Sequence, residues 1–135
     1  MNKILLSLLS ILLLGCVTEN QEEGSVELKP GDKLPKFSVV MNDNSVVSNE
    51  TLLGRVSLIV FFHTECPDCS DGFPAIQQVF EEFGDKVTFV AIGTGEDSKK
   101  LEGYWEDNNL TIPYSAQSDR GVFHLFAPNT IPHVT

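Results

Sequence analysis

Cys66 and Cys69, in the run Cys66-Pro67-Asp68-Cys69, place two thiols in one motif whose spacing carries chemistry by itself. At the start of a helix, this C-x-x-C spacing brings the two sulfurs within disulfide reach. A helix N-terminus also favours the thiolate of the first cysteine, which is the reactive form. Pro67 suits that place, because its fixed φ fits the first helical turn, where an N–H would have no intrahelical partner. The pair therefore reads as a redox centre, with Cys66 the exposed nucleophile and Cys69 the resolving thiol. The competing reading is half of a zinc site, but a structural zinc takes four ligands. The chain has three cysteines and three histidines. His63, His124 and His133 are scattered and there is no second C-x-x-C. No metal and no cofactor is expected.

Such a pair needs a strand before it and a helix after it. Val56 to Phe62 (VSLIVFF) is a nearly unbroken apolar run that fits a strand buried on both faces. A helix is expected from about Cys69 to Phe83, with Phe73, Ile76, Val79, Phe80 and Phe83 on one stripe. Val87 to Ile92 reads as a second buried strand and Gly93 to Asp97 as the loop beyond it. Ser98 is placed to cap a helix to about Asn108. Leu110 to Tyr114 reads as extended, with Pro113 marking an edge. Asp119 is placed to cap a short helix through Phe126. Upstream, Phe37 to Val40 and Val46-Val47 flank Asn42-Asp43-Asn44, a small hairpin, and Ser48 to Leu53 forms a helical turn ended by Gly54. Alternating strands and helices imply an α/β domain with a partly parallel sheet.

The chain has 135 residues, enough for one domain. Nine Lys and Arg against 19 Asp and Glu give a net charge of −10 and a pI near 4.5, which argues against nucleic acid as a partner. A hydrophobic fraction of 41% excludes a disordered acidic chain. Gly93-Thr94-Gly95 belongs to no phosphate motif. Lys3 precedes an apolar run, Ile4 to Leu14, that is too short to cross a ~30 Å hydrocarbon core. Charge, apolar run and small residue in that order fit an export signal. Leu13-Leu14-Gly15-Cys16 resembles the lipobox of bacterial lipoproteins. That resemblance implies a signal peptide over 1–15, lipidation of Cys16, and a membrane lipoprotein facing the periplasm or cell exterior. Residues 16–28, polar and acidic, then read as a tether, and 29–135 as the folded domain.

Gly31-Asp32-Lys33-Leu34-Pro35-Lys36-Phe37 is similar to the G-x-x-x-P-x-F opening of the peroxiredoxin-like and TlpA/ResA-type thioredoxin families. Phe61 to Cys69 resembles their active-site strand and loop, Pro74 their helix proline, and Ile131-Pro132 their cis-proline dipeptide. The resemblance implies a thioredoxin-like fold, a central mixed sheet flanked by helices, with the hairpin as an added N-terminal feature. It implies thiol–disulfide exchange with protein clients, an electron donor in the membrane or periplasm, and an Ile131 backbone that pairs with bound substrate beside Pro132. His133 is a further candidate contact on the substrate side.

Several residues depart from the family pattern. Glu65 stands where Trp commonly precedes the first cysteine, Val60 where thioredoxin carries a buried acid, and Gly72 where the branch often has Glu. No general base is assigned. Glu65, Asp68 and Asp71 put negative charge near the thiols, which disfavours a thiolate and leans toward a reductase. Only His133, Val134 and Thr135 follow Pro132, so the family's C-terminal strands and helix are expected to be missing, through truncation or because the sequence is a fragment. Three residues are too few for a typical strand. The rival readings are a thiol peroxidase, a metal- or substrate-binding module, and an inactive remnant. The peroxidase motif places its threonine further from the cysteine than Thr64-Glu65-Cys66 does.

Overall fold

The computed structural model describes residues 28–126 and 130–135. The signal segment, Cys16 and the tether through residue 27 lie outside the described residues.

A hairpin comes first, with β1 (Ser38–Val40) and β2 (Val46–Ser48) paired antiparallel. Its turn is closed by the Met41 amide on the Ser45 carbonyl at 2.8 Å, with Asn44 at φ 66°. The main sheet follows, from β3 (Ser57–Phe62), β4 (Thr88–Thr94), β5 (Tyr114–Gln117) and β6 (His133–Val134) in the order β5-β4-β3-β6. The β3–β4 and β4–β5 pairs are parallel; β3 and β6 are antiparallel. Helices α1 (Pro67–Phe83), α2 (Ser98–Asp107) and α3 (Gly121–Leu125) fill the connections.

Strand side chains alternate between faces, so each strand feeds two cores. Ile59 and Phe61 of β3 join Val90 and Ile92 of β4 against the hairpin and α3, where Phe37, Phe123 and Phe126 pack. Phe62, Phe89 and Ala91 face α1 and α2, meeting Phe73, Leu101 and Trp105. This is why β3 reads as continuously apolar, and Val60, Phe61 and Phe62 are at most 1% exposed. Gly93 is required on β4, because a Cβ there would lie 2.6 Å from a Leu101 methyl.

Several element ends differ from the sequence expectation. Helix α1 starts at Pro67 rather than near Cys69, with Cys66 as its N-cap. Strand β4 continues through Thr94, where a loop was expected, because Gly93 and Thr94 still pair with Ala116 and Gln117. Asp97, not Ser98, caps α2, its Oδ1 accepting from the Lys100 amide at 2.9 Å. The strand at the sheet edge is Tyr114–Gln117, so Leu110 to Pro113 leads into it rather than forming it. Asp119 accepts from the Gly121 amide at 2.7 Å, but Arg120 is the N-cap of α3.

The hairpin partly covers the β5 edge. Asn42 donates its amide to the Tyr114 carbonyl at 2.8 Å, and Ser115 Oγ donates to the Val40 carbonyl at 2.6 Å. Short as it is, the stretch after Pro132 does pair. Thr135 and Ile59 exchange both backbone bonds, at 3.0 and 2.8 Å, because extended residues beside the exposed flank of β3 satisfy groups that would otherwise lack partners. Beyond β6, Val56, Val79, Phe83 and Val134 rim an open apolar groove of about 410 Å³. Among the described residues no element covers it.

Candidate active site

The end of β3 aims the chain at the head of α1. Cys66 takes an extended conformation (φ −87°, ψ 114°), and its amide donates to the His63 carbonyl at 3.0 Å. The Cys66 Sγ accepts from the Cys69 amide at 3.4 Å, so a sulfur stands where a Ser or Asp oxygen usually caps a helix. Proline at the first helical position and Asp68 in the first turn complete the start of α1.

Both cysteines are free thiols, Cys66 half-buried and Cys69 only 2% exposed. The two environments separate their chemistry. Burial, and then the neighbouring Cys66 thiol, push the Cys69 thiol up to about 12. Cys69 therefore stays protonated at neutral pH, while Cys66 sits at the positive end of the helix within reach of solvent.

Ile131 and Pro132 arrive from the far end of the chain. The peptide bond between them is cis. The Ile131 carbonyl lies 3.8 Å from Cys66 Sγ and accepts its weak S–H bond. The structure thus brings together Cys66, Cys69, Ile131 and Pro132. His133 is on β6 opposite Phe61, with their rings 6.4 Å apart. His124 sits on α3, far along the chain from the thiols. No three His, Cys, Asp or Glu among the described residues are grouped to hold a metal ion.

Charged side chains pair beside the loop that carries Cys66. Glu65 Oε1 takes the Lys100 ammonium of α2 at 3.0 Å, and that bond holds the Glu65 carboxyl below its usual range. Lys100 also reaches Glu96 Oε1 at 3.2 Å, and the two carboxylates raise the lysine above its ordinary value. Sequence reasoning assigned neither Lys100 nor Glu96 to the site. Glu96 lies two residues past the end of β4, and its side chain is 1% exposed. The signal was available: an acid at the carboxyl end of a parallel strand beside the active-site strand lies where open α/β sheets build their sites.

Residues 29–125 match the model of the Redoxin family. The chain belongs to the Redoxin family. Among curated relatives, this redoxin is 25% identical over 120 residues to the thioredoxin-like protein YneN of Bacillus subtilis, covering 84% of this chain and 71% of that protein. It is 23% identical over 136 residues to the thiol-disulfide oxidoreductase ResA of Oceanobacillus iheyensis, covering 97% of this chain and 70% of that one. Among solved structures, the thioredoxin domain of a thiol-disulfide oxidoreductase from Bacteroides vulgatus superposes with a TM-score of 0.70 at 19% identity, covering 80% of each chain. StoA of Bacillus subtilis superposes with a TM-score of 0.63 at 21% identity, covering 75% of this chain and 78% of that one. The fold of this redoxin is thioredoxin-like, and its chemistry is that of a thiol–disulfide oxidoreductase.

Proposed function

We propose that this redoxin is a membrane-anchored, extracytoplasmic reductase of protein disulfides. The observation that carries the reading is the inequality of the two thiols, Cys66 half-buried at the head of α1 and Cys69 buried and pushed up to about 12. In the first step the Cys66 thiolate attacks one sulfur of a client disulfide. The other client sulfur leaves as a thiolate, and a mixed disulfide joins Cys66 to the client. Cys69 then gives up its proton and attacks Cys66 Sγ. The second client thiolate leaves, and a Cys66–Cys69 disulfide remains. Two electrons have passed to the client. A dithiol donor on the same side of the membrane returns them by the reverse exchange.

The client strand lies along Ile131 and Pro132, with the backbone of Ile131 pairing with it and His133 at its flank. The Ile131 carbonyl beside Cys66 Sγ supports that placement. Asp68, in the first turn of α1, supports a reducing direction, because its negative charge disfavours a thiolate in the pair. Export and anchoring rest on the apolar run ending in Gly15-Cys16. A diacyl anchor on Cys16 supplies the two chains that stable membrane attachment requires.

The test is insulin-disulfide reduction with a dithiol donor. The wild-type protein turns over, and Cys66→Ser loses at least about a hundredfold. Wild-type activity no higher than that of Cys66→Ser overturns the reductase reading.

A further inference from the structure

We propose that Glu96 is a positioning residue that sets the redox poise of the Cys66–Cys69 pair by holding Lys100 as its counter-ion. The inference rests on the thiol–disulfide reading and names a group that controls it.

Among the described residues Glu96 is the one buried carboxylate, 4% exposed as a whole residue. A carboxylate taken out of water persists only where donors replace its hydration. Here three do. The Thr64 amide donates to Oε2 at 3.0 Å, the Thr64 hydroxyl donates to Oε1, and the Lys100 ammonium meets Oε1 at 3.2 Å. His63 is not a fourth donor through its nearer nitrogen. Its Nδ1 accepts the Glu65 amide at 3.2 Å, and it stands 3.7 Å from Glu96.

Two consequences follow from the geometry. Thr64 lies two residues before Cys66, so its two hydrogen bonds to Glu96 tie the loop that delivers Cys66 to the residues just past the end of β4. Lys100 bridges Glu96 to Glu65, the residue beside Cys66. One cation therefore stands between two anions at the edge of the thiol site, and Asp68 adds a third negative group in the first turn of α1. Buried Glu96 is screened less by salt than exposed Glu65 is, so its hold on Lys100 persists at higher ionic strength.

The experiment is a glutathione redox equilibrium on the full-length protein, Cys66–S–S–Cys69 plus two glutathione thiols giving the dithiol plus glutathione disulfide. Glu96→Gln keeps the shape and removes one negative charge. Lys100 is then less neutralised, the reduced form gains thiolate stabilisation, and the pair becomes more oxidising. The expected shift is about tenfold in the equilibrium constant, or ~30 mV for this two-electron couple. Lys100→Met, at an exposed helix position, removes the cation and shifts the constant in the opposite direction. A purely structural role for Glu96 gives no such pair of opposite signs. Unchanged constants, or shifts of the same sign, overturn the proposal. If Glu96→Gln does not fold, Lys100→Met decides alone, and a wild-type constant or a more oxidising pair in that variant overturns it. Failure of the wild-type protein to reduce insulin overturns the reductase reading instead. The glutathione equilibrium needs no client, so the two failures remain distinct.

Discussion

The carbonyl of Ile131 lies 3.8 Å from the Sγ of Cys66, although 65 positions separate the two residues. One is the N-cap of α1, just after β3, and the other immediately precedes Pro132 and β6, so the site exists only when the last residues of the chain are folded back against β3. Cys66 is half-buried there and Cys69 only 2% exposed.

That inequality predicts the order of reaction. Burial pushes the Cys69 thiol up to about 12, so it is overwhelmingly protonated at pH 7. Iodoacetamide therefore alkylates Cys66 at least about tenfold faster than Cys69 in the reduced protein, as peptide mass spectrometry over a time course will read. A Cys69→Ser variant accumulates mixed disulfides with clients through Cys66. Equal alkylation rates at pH 7 contradict the assignment.

The raised Cys69 thiol also predicts a pH dependence of stability. Its folded value lies above the ordinary 9.0, because burial favours the neutral thiol. Folding is then helped wherever the thiol is protonated in the native state. That contribution is fully present below about pH 9 and is lost as the pH rises toward 12. Urea unfolding of the reduced protein at pH 7, 9 and 10.5 shows stability falling across the upper interval. Cys69→Ala, which lacks the group, falls less over the same interval.

Much of this site is legible in the sequence because its signals are local. The C-x-x-C, the proline after Cys66 and the apolar strand before it act within a dozen residues, and each fixes its own neighbourhood. Ile131-Pro132 is legible only through resemblance, since nothing local says that it folds back onto Cys66. Glu96 was legible only from its place at the carboxyl end of a parallel strand, not from the residues around it. Its neighbours Gly93, Gly95 and Asp97 read as a loop, yet Gly93 and Thr94 extend β4 by pairing with β5, and that extension carries Glu96 inward to Thr64. Asp97 rather than Ser98 caps α2, although both residue types make good caps. Non-local pairing, not propensity, set the end of β4.

The lipoprotein reading predicts that Cys16→Ser abolishes incorporation of labelled fatty acid and prevents this type of processing. In the wild-type protein, mass spectrometry finds an acylated Cys16 at the mature N-terminus. Membrane fractionation follows the same pattern, with the wild type sedimenting with vesicles through its acyl chains and the variant losing that acyl-dependent attachment. A mature N-terminus at any other residue contradicts the anchor.

Trp105 gives the last prediction, because it joins α2 to the sheet by two separable interactions. Its indole packs against Phe62 of β3, Phe73 of α1 and Tyr114 of β5, with ring centroids at 5.1, 5.3 and 4.6 Å. Its Nε1–H donates to the Ile112 carbonyl at 2.8 Å, fixing the segment that leads into β5. Trp105→Ala removes both and leaves a cavity between the helices and the sheet. The expected cost is about 3–5 kcal/mol, a large share of the ~5–15 kcal/mol that a domain has. Trp105→Phe keeps a smaller aromatic ring but leaves the Ile112 carbonyl without its donor, so about 1–3 kcal/mol is lost for that group. Denaturant unfolding followed by circular dichroism separates the two, since the only tryptophan of the chain is the residue being changed. Phe62 joins this aromatic cluster and immediately precedes the active-site loop, so loosening it also reaches the thiols. Trp105→Ala therefore raises the alkylation rate of Cys69 toward that of Cys66, whereas Trp105→Phe leaves their order unchanged. An alanine variant as stable as the phenylalanine one would show that the packing of the indole contributes little.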